Sequence, residues 1–164
     1  REYLDCVVGW MIDRKHISRL FHCGDDYEDV AVLAERYIDV VQVPGIYNPR
    51  YLDESLPKKV FENILGLELL AVHATEKDLD EEDILRADII LHGHTHRWEL
   101  RLDDGVFYMN PGHLKGPKDK NAPASFGMLD IQDESVEAAI YNLEFSVVDS
   151  VELIRSQNGL YKMS

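Results

Sequence analysis

Four side chains in this chain have the type and placement to hold a metal ion: Asp25, His73, His94 and His96. The last two lie in Ala87 to Trp98, ADIILHGHTHRW, where Ile89 to Leu91 reads as a buried strand ending at His92. Gly93 then opens a turn that carries His94 and His96. On an extended segment alternate residues face the same way, about 6–7 Å apart. The two imidazoles could then converge on one metal or reach two neighbouring ones, with Thr95 pointing away. Ligands collect beyond the carboxyl ends of strands in open α/β sheets, which favours this placement. The competing reading is a surface His-x-His pair without a ligand.

Asp25 and His73 recur in the same setting. Asp25 follows Gly24 and a short strand candidate, Ile17 to Cys23, where a carboxylate can meet a metal or cap a following helix. His73 ends the apolar run Leu67 to Val72. A mixed carboxylate and imidazole set suits manganese, iron, nickel or zinc better than calcium or magnesium.

The elements that must position these residues can be read from periodicity and turn residues. Leu4, Val7, Val8 and Met11 follow helical spacing, with an end near Arg14 to His16. Val30, Leu33, Ala34 and Tyr37 mark a second amphipathic helix, and Val40 to Val43 a short strand. Pro44, Pro49 and Pro57 make Ile46 to Pro57 a loop over one end of the sheet. Lys59 to Ile64 and Leu67 to Val72 form a hairpin around Leu65 and Gly66. Glu76 to Arg86 reads as an acidic, solvated turn and helix. Trp98 to Leu102 and Val106 to Met109 flank Asp104-Gly105, a strong hairpin signal. Ser125 to Ile131 pairs with Val136 to Leu143, Ser146 to Ile154 adds an edge strand, and the last ten residues fray. Helix and strand alternate at the front and hairpins fill the back. The expected class is α/β, a layered sandwich.

With 164 residues the chain fits a single domain, 1–164, with its own core. Its net charge of −14 disfavours duplex nucleic acid and anionic membranes as partners, which need cationic contacts to phosphates. A small phosphoester substrate stays compatible, because bound divalent cations invert the local field. Cys6 and Cys23 are too few for a disulfide framework and point to a reducing, cytoplasmic setting. No apolar run approaches membrane-spanning length. Oligomeric state is left open.

Taken in order, HCGD (His22 to Asp25), VHAT (Val72 to Thr75), GHTH (Gly93 to His96) and NPG (Asn110 to Gly112) resemble the calcineurin-like metallophosphoesterases. The resemblance is in particular to their small single-domain bacterial and archaeal members, and Pro123 to Ile131 is similar to the family's late core strand. The resemblance implies a four-layer sandwich, two mixed β-sheets flanked by helices, with a binuclear metal site. It implies two divalent ions (Mn, Fe, Ni or Zn) with Asp25 bridging both, His73 and His94 on one, and His96 on the other. The activity implied is hydrolysis of a phosphodiester or phosphomonoester, as a phosphodiesterase or phosphatase, by a metal-bound hydroxide.

Two family motifs are missing. Asp-x-His after the first strand has no counterpart, and the chain opens on the helix that should follow it. A parallel β-α-β unit needs a strand before its helix, so some 15–30 further residues, roughly a strand and a loop, are expected ahead of Arg1. The Gly-Asn motif is replaced by VPGIYNPRY, where Asn48 stands three residues past Gly45 as a candidate metal ligand or substrate contact. His113, after the NPG turn, is a candidate catalytic or substrate contact, against the plainer reading of an exposed loop histidine. The alternative function is a non-catalytic protein-interaction scaffold on the same fold, similar to the retromer subunit. A structural mononuclear zinc site is a third reading.

Overall fold

The computed structural model describes residues 2–30, 33 and 38–162. Helix α1 (Glu2–Lys15) buries Val7, Val8 and Met11, the stripe its spacing announces. Strands β1 (Arg19–His22) and β2 (Asp39–Gln42) follow and pair in parallel, Leu20 opposite Val40. Most of the second amphipathic helix read between them lies outside the described residues. A 3-10 turn at Tyr27–Val30 sits just past Asp25.

The central sheet has five strands in the order β3-β4-β5-β7-β6. The hairpin β3 (Lys59–Ile64) and β4 (Leu67–Val72) turns at Leu65 and Gly66, both with positive φ. Short helices α2 (Thr75–Asp78) and α3 (Glu81–Arg86) lead to β5 (Ile89–Leu91), which lies parallel to both β4 and β7. Its three residues are all buried, as a strand covered on both faces requires. Strands β6 (Glu99–Asp103) and β7 (Val106–Asn110) form the hairpin around Asp104 and Gly105.

A two-pair ladder, β8 (Lys118–Asp119) with β9 (Ala122–Pro123), folds the loop after Gly112 back on itself. The chain then closes with an antiparallel meander of β10 (Phe126–Ile131), β11 (Ser135–Tyr141), β12 (Val147–Ser156) and β13 (Gly159–Lys162). The expectation of frayed final residues does not hold through Lys162. Asn158-Gly159 turns the chain so that Leu160 faces Arg155 across a ladder and is buried. Strand β12 is therefore interior to its sheet, and β13 takes the edge.

The layers follow from which apolar faces meet. One face of the central sheet (Leu69, Ile89, Phe107) packs on Val136, Ile140 and Leu153 of the meander, sheet against sheet. Its other face (Leu70, Ile90, Tyr108) is covered by Leu79 and Ala87 at the ends of α2 and α3. The outer face of the meander, with Phe126 and Tyr141, takes Val7 and Met11 of α1. Helix, sheet, sheet, helix is the four-layer sandwich expected.

The second sheet layer comes in two pieces. Leu20 and Met128 face α1, while Phe21 and Leu129 face the central sheet, so β1 and β10 share one layer. Among the described residues β1 pairs only with β2 and β10 only with β11. A cavity of about 910 Å³ lies between them, lined by both strands, by α1 and by the candidate metal-binding residues. No helix among the described residues is long and apolar enough to cross a membrane.

Candidate metal centre

Asp25, His73, His94 and His96 come together at one end of this cavity. Each stands just past a strand, on a turn that brings backbones unusually close. A Cβ on Gly93 would lie 2.4 Å from the carbonyl oxygen of Cys23, and one on Gly45 2.2 Å from Asp25 Oδ1. Only glycine lets the β5 turn touch the β1 turn, or lets the loop after β2 close over Asp25.

His94 and His96 do not sit on an extended segment, contrary to the spacing argument. Strand β5 ends at Leu91, and both histidines have left-handed backbone, φ 66° and 61°. Such conformations are unusual for side-chain-bearing residues and concentrate at functional turns. They send the two rings to opposite sides of Asp25. His94 packs edge-on against His73, centroids 5.2 Å apart, whereas His96 lies beside His113 at 5.6 Å.

The tautomers can be read from the hydrogen bonds. His73 Nδ1 is 2.7 Å from the carbonyl oxygen of Cys23, which can only accept, so Nδ1 carries the proton. The Nε2 lone pair of a neutral His73 then faces Asp25 Oδ1 at 3.3 Å. Among the described residues neither atom has a hydrogen-bond partner, and both are buried. Burial holds His73 below its ordinary value, so the ring prefers to be neutral. Two electron-rich atoms thus confront one another in the interior, an arrangement that a cation between them resolves. Donors about 2.0–2.2 Å from a transition metal lie roughly 2.8–3.5 Å apart, which the 3.3 Å separation fits.

The other oxygen of Asp25 also faces an imidazole nitrogen. His96 Nδ1 bonds to the carboxylate of Asp119, leaving Nε2 to face Asp25 Oδ2 at 3.8 Å. A carboxylate behind a ligating imidazole is the usual way such a ring is oriented. Lys115 Nζ also reaches Oδ2, at 3.2 Å. Desolvation pushes the Asp25 carboxyl up, but the charge of His73 when that ring is protonated, the Lys115 ammonium bonded to Oδ2 and the charge of a protonated His96 pull it further down, so it lies below its ordinary value and is ionised. His94 presents a buried Nδ1 without a hydrogen-bond partner among the described residues, and its Nε2 is 3.4 Å from Glu76 Oε1. Among the described residues no three His, Cys, Asp or Glu side chains close around a single point; the donors meet in pairs about Asp25.

Neighbouring polar groups have other employment. Burial pushes the Cys23 thiol up to about 12, and its Sγ lies 3.6 Å from the carbonyl oxygen of Leu91, so it offers no thiolate. Asn48 donates from Nδ2 to the carbonyl of Asp25 and accepts the Arg50 N–H through Oδ1 at 2.8 Å. It braces the Asp25 turn and caps the 3-10 turn at Pro49–Leu52. His113 is buried rather than an exposed loop residue: its Nε2 lies 3.0 Å from the carbonyl oxygen of Ala122, behind His96.

Asp119, Lys115 and Glu76 were not singled out by sequence. The first two sit on the irregular loop after Gly112, and the third lies in a charge run that reads as solvated surface. No periodicity links them to residues 23, 90 and 18 positions away.

Residues 9–134, well over half of the chain, match the model of the calcineurin-like phosphoesterase superfamily domain. Phosphodiesterase YfcE of Escherichia coli K12 is 36% identical over 61 residues, 32% of this chain and 33% of that protein, so the matched part spans about a third of the relative's length. A conserved uncharacterized protein of Streptococcus pneumoniae TIGR4, described as a predicted phosphoesterase, superposes with TM-score 0.69 at 18% identity, covering 94% of this chain and 91% of that one. Wild-type Vps29 from Entamoeba histolytica, complexed with Zn2+, gives 0.65 at 23% identity, covering 90% and 88%. At these identities the structural likeness is one of fold. The chain belongs to the calcineurin-like phosphoesterase superfamily.

Proposed function

We propose that this chain is a metal-dependent phosphoesterase that hydrolyses a phosphodiester or phosphomonoester at a two-metal site centred on Asp25. One observation carries the reading: both oxygens of a single half-buried carboxylate face an imidazole Nε2, His73 on one side and His96 on the other. A bridging carboxylate with a histidine to each side is what two adjacent cations require, since its charge offsets their repulsion. His94, beside His73, would complete that side. Divalent ions held there would supply Lewis-acid stabilisation of phosphoryl charge and lower the pKa of a water molecule.

The chain's own residues have definable tasks. His73 and Asp119-oriented His96 present preset lone pairs, so little reorganisation accompanies loading. Asp25 stays ionised through the neutral range. Asn48 and Gly45 hold the Asp25 turn against the site. The relative named a phosphodiesterase supports the same class of chemistry.

The test is release of nitrophenol from bis(p-nitrophenyl) phosphate and from p-nitrophenyl phosphate, with manganese and after chelation. Turnover of either that disappears in Asp25→Asn supports the reading. No turnover by a manganese-loaded protein would remove it. A second reading, a protein-interaction scaffold, draws on Lys115: an ammonium on Asp25 Oδ2 can neutralise the carboxylate without any metal. The fold likeness to Vps29 is compatible with it.

A further inference from the structure

The loop between Gly112 and Ala124 reaches the metal-binding residues at three points. Asp119 bonds His96, Lys120 Nζ donates to the carbonyl oxygen of His94 at 3.2 Å, and Lys115 pairs with Asp25. Two of these contacts are pinned by local structure. Asp119 and Lys120 belong to the β8–β9 hairpin, whose turn at Lys120 and Asn121 has left-handed backbone, and Ala124 N closes on Pro117 O at 3.1 Å. Lys115 stands outside the ladder, in the segment before Gly116 and Pro117. Its side chain is 40% exposed while Asp25 is 12% exposed, so a flexible cationic head reaches inward from the rim.

We propose that Lys115 is the substrate-phosphate contact of this site, a cation that pairs with a phosphoryl oxygen of the bound ester. The inference rests on the phosphoesterase reading above and names a residue that reading leaves without a task. The physical reason is charge balance. Two divalent ions around Asp25 leave the centre strongly positive and would repel an ammonium from the carboxylate oxygen it now holds. A phosphate anion reverses that sign and gives the ammonium a partner again. Lys115 therefore competes with metal when the site is empty of anion and cooperates with it when a phosphate is present. Both effects come from one side chain, and they have opposite signs.

Those signs make the test. Manganese and then inorganic phosphate are titrated calorimetrically into the full chain, its Lys115→Ala variant and its Lys115→Arg variant. In Lys115→Ala manganese should bind as tightly as in the parent or tighter, while phosphate binding to the manganese-loaded protein weakens about tenfold or more, the size of one lost charge-assisted hydrogen bond. Lys115→Arg should recover most of the phosphate affinity. A phosphate affinity within twofold of the parent in Lys115→Ala overturns the proposal. So does a parallel loss of manganese and phosphate, which would mark a structural residue. Failure of the parent to bind phosphate at all overturns it outright. The parent's hydrolysis of nitrophenyl esters is read separately, so absence of turnover would remove the enzymatic reading while the binding comparison still decides Lys115.

Discussion

Asp25 serves two neighbours at once, and that sets what its loss should do. Asp25→Asn removes the negative charge shared by both histidine pairs, whereas a single histidine change empties only one side. The variant should therefore lose more bound metal than His73→Ala, His94→Ala or His96→Ala, as measured by elemental analysis after dialysis against manganese. Asp119 acts one step removed. Asp119→Asn frees His96 to adopt the other tautomer, and outer carboxylates of this kind are worth about 10–100-fold in metal affinity. Equilibrium dialysis should find that loss with thermal stability nearly unchanged; equal affinity would separate Asp119 from the site. Gly93 belongs to the same scale. Gly93→Ala forces a Cβ onto the carbonyl of Cys23 and should destabilise the fold by about 1–3 kcal/mol in urea unfolding, with a drop in metal content.

Most elements were legible because short-range chemistry announces them. Leu65-Gly66 and Asp104-Gly105 mark two hairpins, and Ile89 to Leu91 reads as a buried strand. The Asn158-Gly159 dipeptide carries the same signal for β13, and the reading of frayed final residues leaves it unused. The positions of Asp25, His73, His94 and His96 were legible as residues at strand ends, but their convergence was not. It depends on left-handed backbone at His94 and His96 and on the loop that carries Asp119, neither of which leaves a periodic trace.

The cavity between β1 and β10 also belongs to the scale of elements. Among the described residues both strands present an unpaired edge to it, and α1 and the central sheet supply its apolar floor and roof. An extended apolar segment laid there would pair on both sides and fill the volume. Fusing a strand of roughly five Val and Ile residues with a short linker ahead of Glu2 should raise the Tm. It should also slow amide exchange in β1 and β10. A fusion that leaves exchange at Leu20 to His22 and Phe126 to Leu129 unaltered would show that the space is not a strand site. In α3, Asp80 caps the helix and holds Lys59. The hydrogen bond from Lys59 and the backbone N–H of Asp83 keep its carboxyl below the ordinary value. That contribution is complete above the unfolded carboxylate range and is lost as pH falls through the depressed folded value. Asp80→Ala should therefore lower the Tm at pH 7 and change it little at pH 2.

At the scale of the whole molecule, one end of a four-layer sandwich gathers strand termini from both sheet layers. The β1 turn brings Asp25, the β4 turn His73, and the β5 turn His94 and His96. A chain of net charge −14 thereby gathers four candidate donors in one place, where on the proposed function dications would bind and an anionic ester would follow. Metal-stripped protein titrated with manganese, with hydrolysis of bis(p-nitrophenyl) phosphate read at each point, tests this account most directly. Turnover should rise with bound manganese and saturate near two ions per chain. Full occupancy without turnover, or saturation of activity with a single ion, would contradict it.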